Sequence, residues 1–506
     1  MTDTKTTGKV WLVGAGPSDP GLLTLRGKQV LQKADVVLCD ALVGAGILAM
    51  IPPAAEKIYV GKRSGDHAMP QRDINRLLAD LALAGKRVVR LKGGDPFLFG
   101  RGGEELELLN TLEIPYEVVP GVTSALAVPA YQGIPVTHRD FCSSVHIITG
   151  HRRDGSDDAI DYEALVRTGG TLIFLMGASS LGDICGGLLK GGMAPDMPAA
   201  LLMRGTTPEQ RRILATVGTL EAAAERQRTE TPAIIVIGKV CSLAEKFSWF
   251  EALPLAGVRL LLTRPEELIH ETAEKLRSLG AQVIEYPTIH IARRENNAAL
   301  HEALRHLDRY QWLVFTSPTG VRIFFEEIQV QHIDVRRLSG IRIAAMGRGT
   351  QKELASRYLY ADLIPEIYDG KHLGLALAQA GADGERVLIP RAAAGNQDLI
   401  NALSRKRVDD IPAYDTILSP QDSLPRSLAA ELESGKIDYV LFTSASCVRG
   451  FASAAGSIDY SDINAVCIGK QTQREADALG MKTQTSEQAS IDSLIDCLIH
   501  TRKESL

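Results

Sequence analysis

Sixteen residues, Arg90-Leu91-Lys92-Gly93-Gly94-Asp95-Pro96-Phe97-Leu98-Phe99-Gly100-Arg101-Gly102-Gly103-Glu104-Glu105, constrain this chain more than any other stretch. They run from an apolar strand end through a glycine pair into a second glycine-led turn. Adjacent glycines carry no side chain to hold a ligand away from the main chain, Asp95 supplies an acceptor, and Pro96 stiffens the exit. The pattern predicts a ligand pressed against bare backbone at the carboxyl end of a strand.

The chain around that motif is too long for one core. At 506 residues it exceeds the usual span of about 100 to 200 residues per domain several times over, and we expect two lobes in each half. A hydrophobic content of 45% with frequent glycine fits an α/β enzyme. A net charge of -5 argues against nucleic acid as a partner. Local basic clusters, Lys62-Arg63 and His151-Arg152-Arg153, read as solvated faces or as contacts for an acidic small molecule. Seven cysteines without a Cys-x-x-Cys spacing read as reduced thiols, with no metal site. The polar stretch from Met1 to Lys9 lacks the apolar region of a signal peptide, and no run reaches the roughly 18 apolar residues of a membrane span. The expected location is the cytoplasm, with no membrane contact.

Apolar runs at Val10 to Val13, Val36 to Cys39, Val88 to Leu91, Tyr116 to Val119, Val145 to Thr149, Thr171 to Met176 and Ala233 to Ile237 alternate with amphipathic segments. This favours an α/β architecture with mostly parallel sheets, whose ligands sit beyond the carboxyl ends of the strands. A lobe change falls near Pro120-Gly121, and the main boundary lies between Lys246 and Gly257. The second half contains an internal echo. Phe315-Thr316-Ser317 returns as Phe442-Thr443-Ser444, and a strand ending at Arg264 returns as one ending at Arg391, both 127 residues apart. Gly347-x-x-Thr350 returns as Gly469-x-x-Thr472 at a slightly shorter offset. Three landmarks in one order predict two similar α/β lobes.

Gly14-Ala15-Gly16-Pro17-Ser18-Asp19 follows the first strand but does not fit a dinucleotide fingerprint. Asp19 stands where the third glycine belongs, and Pro17 lacks an amide that a phosphate would use. Alone it is a tight turn. Together with Gly93-Gly94-Asp95 and Pro120-Gly121-Val122-Thr123-Ser124 it makes three turns able to meet a ligand in one half-chain. These motifs, with Val60-Gly61-Lys62-Arg63 and Gly133-Ile134-Pro135-Val136-Thr137-His138-Arg139, resemble uroporphyrinogen-III C-methyltransferase over roughly residues 8 to 250. The resemblance implies a two-lobed tetrapyrrole methylase fold and a homodimer. It also implies S-adenosyl-L-methionine as methyl donor, S-adenosyl-L-homocysteine as its product, and conversion of uroporphyrinogen III to precorrin-2. Carried over by motif, the donor site comprises Pro17, Gly93, Gly94, Asp95, Leu98, Thr123, Ser124, Met176 and Gly205. The resemblance makes Asp40 the general base and Lys62 the proton donor. Without it, Asp40 and Lys62 read as an ordinary ion pair or a helix cap, and Met176 as a core filler. Arg26, Arg101, His138 and Arg139 are candidate partners for substrate carboxylates. Ser18 departs from the family's glycine and raises the question of its φ.

From about Leu255 the chain resembles uroporphyrinogen-III synthase, through Leu260-Leu261-Leu262-Thr263-Arg264-Pro265, Phe315-Thr316-Ser317, Asp410-Ile411-Pro412-Ala413-Tyr414-Asp415-Thr416, Phe442-Thr443-Ser444 and Ile468-Gly469. This implies two α/β lobes joined by a two-stranded ladder, and cofactor-free closure of hydroxymethylbilane with inversion of ring D. Thr316, Ser317, Gly347, Thr350, Thr443, Ser444, Gly469 and Thr472 sit at strand-to-helix turns that favour carboxylates. Arg264 and Arg391 join them as candidate substrate contacts, and Tyr414 is the candidate catalytic residue. The domain reading is a methyltransferase at 8–245 (lobes 8–120 and 121–245), a linker at 246–256 and a synthase at 257–502. Synthase lobe one is 257–285 plus 417–502, and lobe two is 297–408. The product would feed sirohaem or cobalamin synthesis. Other readings are a nicotinamide-dependent oxidoreductase built on Gly14-Ala15-Gly16, and a C-terminal half that binds or senses a tetrapyrrole without turning it over.

Overall fold

The computed structural model describes residues 7–61, 69–150, 160–395 and 397–505. The chain divides into two compact units, a front one of Met1–Val258 with Arg277–Ile284 and a back one of Arg259–Leu276 with Glu285–Leu506.

The front unit opens with a parallel five-stranded sheet in the spatial order Glu56–Tyr59, Val36–Cys39, Arg87–Lys92, Lys9–Gly14, Tyr116–Val119. Its central strands are covered on both faces, which is why they read as continuous apolar runs. Val13, Val37, Cys39, Val89 and Leu91 pack on one face, while Val10, Leu12, Val36, Leu38 and Val88 pack on the other. That is the two-residue period of a strand written into both cores. Lys9–Gly14 and Arg87–Lys92 lie side by side, yet the chain leaves them toward opposite edges of the sheet. Such a switch point opens a crevice beyond the carboxyl ends of the two strands.

The second sheet corrects the expectation of mostly parallel pairing. Its order is Val145–Thr149, Thr171–Leu175, Ala233–Ile237, Pro198–Met203, Arg211–Thr216, and only the first pair is parallel. The connection from Met203 to Arg211 is too short for a crossover helix, so it makes an antiparallel hairpin instead. The sequence reading missed Glu56–Tyr59, Pro198–Met203 and Arg211–Thr216 as strands.

The back unit carries the internal echo in its sheets. One sheet includes the neighbouring strands Arg259–Leu262, Tyr439–Phe442, Asn464–Cys467, Lys482–Thr485, and the other runs Ile289–Arg293, Arg407–Leu418, Arg386–Ala392, Trp312–Phe315, Arg342–Ala345. The neighbours Arg259–Leu262, Tyr439–Phe442 and Asn464–Cys467 therefore match Arg386–Ala392, Trp312–Phe315 and Arg342–Ala345 place for place. The strands carrying Arg264 and Arg391 differ in chain order but not in position. Ile289–Arg293 pairs antiparallel with the long strand Arg407–Leu418, from Ile289 opposite Leu418 to Arg293 opposite Tyr414. Among the described residues no helix is long and apolar enough to cross a membrane, and no group of His, Cys, Asp and Glu could hold a metal ion.

Candidate functional site

Three loops meet at the switch point of the front sheet. The amide of Gly94 donates to the carbonyl of Gly16 at 2.9 Å and the amide of Gly16 donates back at 3.1 Å, so the first two loops form a two-bond bridge. The third loop is clipped on by Asp95. One oxygen of its carboxylate accepts from Gly121 N at 2.9 Å, while the other accepts from Phe97 N at 2.8 Å and Leu98 N at 3.2 Å. There is no room here for side chains. A Cβ on Gly121 would lie 2.2 Å from the carbonyl oxygen of Gly94, and one on Gly14 would lie 2.5 Å from the Cα of Gly121. Gly94 itself needs its positive φ of 68°. The glycines thus let three backbones touch, and Asp95 acts as the clip that holds them.

The remaining donor-site candidates surround this junction. Thr123 caps the helix Ser124–Tyr131 by accepting from Ala125 N at 3.3 Å, and the amide of Ser124 lies beside Gly94. Leu98 packs against the core formed by Ala125, Val128, Ile173 and Leu175. Met176 follows Leu175, is 52% exposed and has a positive φ of 56°, which a mere core filler would not need. Gly205 lies against Val128, where a Cβ would come within 2.3 Å of that side chain. Thr206 hydrogen-bonds through its hydroxyl to the carbonyl of Pro17. Contacts thus tie Pro17, Gly94, Asp95, Leu98, Thr123, Ser124 and Gly205 to the loops that converge on the helix Ser124–Tyr131, while Gly93 precedes Gly94 and Met176 follows Leu175 in the chain. Ser18 adopts a φ of 91°, a glycine-like conformation held by serine.

Asp40 stands at the end of Val36–Cys39 as the visible end of a buried charge cluster. Arg90, on the neighbouring strand, donates to one Asp40 oxygen at 2.6 Å and through Nε to Glu105 at 3.0 Å. Lys92 Nζ donates to the same Glu105 oxygen at 2.8 Å, and Gln71 adds a bond at 3.1 Å. Arg90, Lys92 and Glu105 are 2%, 3% and 0% exposed. Charges this deep persist because each faces an opposite charge. Burial works against the Arg90 guanidinium, yet Asp40 and Glu105 together raise its pKa. Burial and the neighbouring Arg90 push the Lys92 ammonium down. The other oxygen of Glu105 has no hydrogen-bond partner. Sequence reasoning missed Arg90, Lys92 and Glu105, although two cations on an otherwise buried strand are the signal that a counter-charge must lie nearby.

Lys62, Arg63 and His151-Arg152-Arg153 lie outside the described residues. Arg26 and Arg101 are turned to acids, Glu117 and Glu104, each at 2.6 Å.

In the back unit the hydroxyl-bearing turns are helix caps. Ser317 Oγ accepts from Gly320 N at 3.0 Å and pairs with Tyr414 Oη at 2.8 Å. Ser444 Oγ accepts from Cys447 N at 3.2 Å. The Tyr414 ring sits in the core with Phe315 and Phe324, and burial raises its pKa. Thr316 and Thr443 are half-buried, whereas Thr350 and Thr472 are 4% and 3% exposed and brace their helices from within. Gly469 faces open space, while Gly347 lies against the ring of Tyr368. The paired arginines differ most. Arg391 grips Asp410 in bidentate fashion, 2.7 Å on each side. Arg264 donates to the Thr272 hydroxyl, its Nε has no partner, and burial lowers its pKa.

Comparison with known proteins follows the same division. Residues 9–221 match the family model described as tetrapyrrole (corrin/porphyrin) methylases, and residues 270–496 match that described as uroporphyrinogen-III synthase HemD. The chain is 47% identical over 494 residues to a porphyrin biosynthesis protein HemD of Ruminiclostridium josui, covering 97% of this chain and 98% of that protein. It is 42% identical to a uroporphyrinogen-III C-methyltransferase of Bacillus subtilis, covering 69% of this chain and 72% of the relative. Among solved structures, a uroporphyrin-III C-methyl transferase from Thermus thermophilus complexed with S-adenyl homocysteine is 40% identical over 46% of this chain and 99% of its own, with a TM-score of 0.41.

Proposed function

The chain belongs to the family that fuses a tetrapyrrole methylase to a uroporphyrinogen-III synthase, and we propose from that premise how its two halves divide the work. It is a bifunctional enzyme of tetrapyrrole biosynthesis, a methyltransferase and a lyase. The front unit takes S-adenosyl-L-methionine and methylates uroporphyrinogen III at carbons 2 and 7, giving precorrin-2. The back unit closes hydroxymethylbilane with inversion of ring D.

The observation that carries the front reading is the side-chain-free junction of Gly14, Gly94 and Gly121 beside Asp40. Its residues fit a nucleoside donor. Peptide groups near Gly93, Gly94 and Ser124 supply bonding partners, and Leu98 and Met176 supply apolar walls. When bound, the donor supplies an electrophilic methyl group on a sulfonium. The loops hold the donor, so that the pyrrole carbon approaches along the line of transfer and water is excluded. Asp40, tied to Arg90 through one oxygen, takes the one proton that the ring system sheds for each methyl gained, from a position other than the fully substituted methylated carbon, and Lys62 is the proton donor where a proton is relocated on the ring.

In the back unit, Arg264 and the caps at Thr316-Ser317 and Thr443-Ser444 receive substrate carboxylates, and Tyr414 assists departure of the hydroxyl group through the hydrogen bond with Ser317. The substrate's own electron-rich pyrroles drive ring closure, and this half uses no cofactor.

The enzyme works in the cytoplasm as a homodimer through its front unit, which sedimentation of the intact chain checks. One assay tests the whole reading. Hydroxymethylbilane with S-adenosyl-L-methionine yields dimethylated type III product, identified by mass and isomer type, and without the donor it yields uroporphyrinogen III. Spontaneously formed type I isomer alone would overturn the synthase assignment. In calorimetry, S-adenosyl-L-homocysteine binds and NADH does not.

A further inference from the structure

The stretch 246–256, which composition marks as a linker, is folded onto the front unit. Trp249 donates through its indole N–H to the carbonyl of Ala130 at 2.9 Å. Trp249 and Phe250 enclose the ring of Tyr131, with centroids at 5.3 and 5.0 Å. Gly133 takes a φ of 75°, and a Cβ there would lie 2.5 Å from the carbonyl of Ala244 and 2.8 Å from Phe247, so the turn after Tyr131 is shaped to admit this segment. Glu251 accepts from Arg212 at 2.9 Å and from Gln210 at 3.3 Å, and Arg212 also donates to Ser248 at 3.2 Å.

The contacts with Tyr131 and with Gln210 lead on to a donor loop. Held by Trp249 and Phe250, Tyr131 donates its hydroxyl proton to Asp19 at 2.7 Å. Asp19 in turn accepts from Gly21 N at 2.7 Å and fixes the turn that follows Pro17 and Ser18. Held by Glu251, Gln210 accepts from Thr206 N at 3.1 Å, and Thr206 reaches the Pro17 carbonyl. Two chains of contacts thus run from residues 248–251 to the loops bearing Pro17 and Gly205, and Gln210 Nε2, donating to the carbonyl of Tyr131 at 3.5 Å, ties one to the other. Neither chain touches Asp40.

We infer that residues 247–251 are a clamp of the methyltransferase rather than a spacer, and that through Tyr131 and Gln210 they position the two loops that hold the donor. The inference rests on the donor site proposed above. Trp249, Phe250 and Tyr131 are positioning residues, because an ordered loop costs less to immobilise when the donor binds. Their loss falls on donor affinity rather than on the chemical step.

The test uses the full chain, with S-adenosyl-L-homocysteine calorimetry and steady-state methylation side by side. Tyr131→Phe removes one hydroxyl from a packed ring, and the dissociation constant rises about threefold. The double variant Trp249→Ala, Phe250→Ala raises it about tenfold. The KM for the donor rises in step, by more than kcat falls. Ring closure by the back unit, measured without donor, reports that the chain is intact. If the double variant does not fold, Tyr131→Phe decides the matter alone. Unchanged affinity in the variants that fold, or a loss confined to kcat, overturns the clamp. Failure of the parent chain to bind the nucleoside overturns the donor site itself, and is thereby distinguished from failure of the clamp.

Discussion

Backbone strain is distributed differently in the two units. Among the described residues of the front unit, Ser18, Phe99, Arg101, Met176, Arg204 and Thr206 hold positive φ in or beside the loops assigned to the donor, while Glu113 and Arg228 hold it elsewhere. In the back unit Asn296, His332, Tyr358 and Asp422 do so, and none lies at the hydroxyl-bearing turns. Those turns are ordinary serine caps in extended conformation, at Ser317 and Ser444. Strain at a ligand loop is retained only where surrounding structure fixes it, and here the fixing is done by glycine contacts, Asp95 and the buried cluster behind Asp40. A site that must aim a methyl group at one carbon needs such loops. A site that receives carboxylates and lets the substrate rearrange needs only helix ends and hydroxyls.

The largest expected effect tests whether the units are chemically separate. Asp40→Ala lowers methylation by about 10²- to 10⁴-fold and leaves ring closure intact, as product analysis of each half-reaction will show. Equal loss of both, with the fold preserved, would break the division. Next comes the cluster behind Asp40. Arg90→Met strips the shared cation from Asp40 and Glu105, and costs the front unit about 3–5 kcal/mol, the range for breaking a buried pair. Denaturant unfolding that shows no such loss would mean that the cluster is not charged as drawn. The back unit answers with a smaller, functional effect. Arg264 faces no acid in its hydrogen bonds, so Arg264→Met lowers ring closure about tenfold, as loss of one charge-assisted contact does. Arg391→Met disturbs stability first, because it orphans Asp410. The reverse pattern would exchange the roles of the two lobes.

Much of this was legible in the chain because glycine contacts tolerate no substitution. Gly93, Gly94, Gly100 and Gly102, with the turns at Gly14 and Gly121, are residues that the backbone geometry demands, and they marked the junction directly. The 127-residue echo was legible for a related reason, since strand ends and helix caps repeat wherever a fold repeats. Other features were not. The strand Arg211–Thr216 begins with Arg211-Arg212, whose charges face solvent and glutamates rather than marking a loop. The antiparallel sheet followed from short connections that periodicity alone does not weigh. The segment 246–256 carries Pro254 and runs up to Gly257, which read as a boundary, but its aromatics pack on Tyr131, and only tertiary contact reveals that.

The smallest expected effect returns to strain, at Ser18. Ser18 holds a φ of 91°, and the loop is closed from the other side by Gly44, where a Cβ would lie 2.4 Å from the Ser18 carbonyl. Ser18→Gly should therefore remove strain of about 1 kcal/mol from the folded state, partly offset by the greater freedom glycine gives the unfolded chain. A net gain of about 0.5 kcal/mol in front-unit stability is expected, read from the denaturation midpoint, with ring closure unaffected. If the variant is less stable than the parent, the serine contributes more than its conformation costs, and strain at the front site cannot be read from φ alone. If it is more stable but binds the donor less well, the strain itself holds the loop in its binding form, and the contrast between the two units becomes sharper.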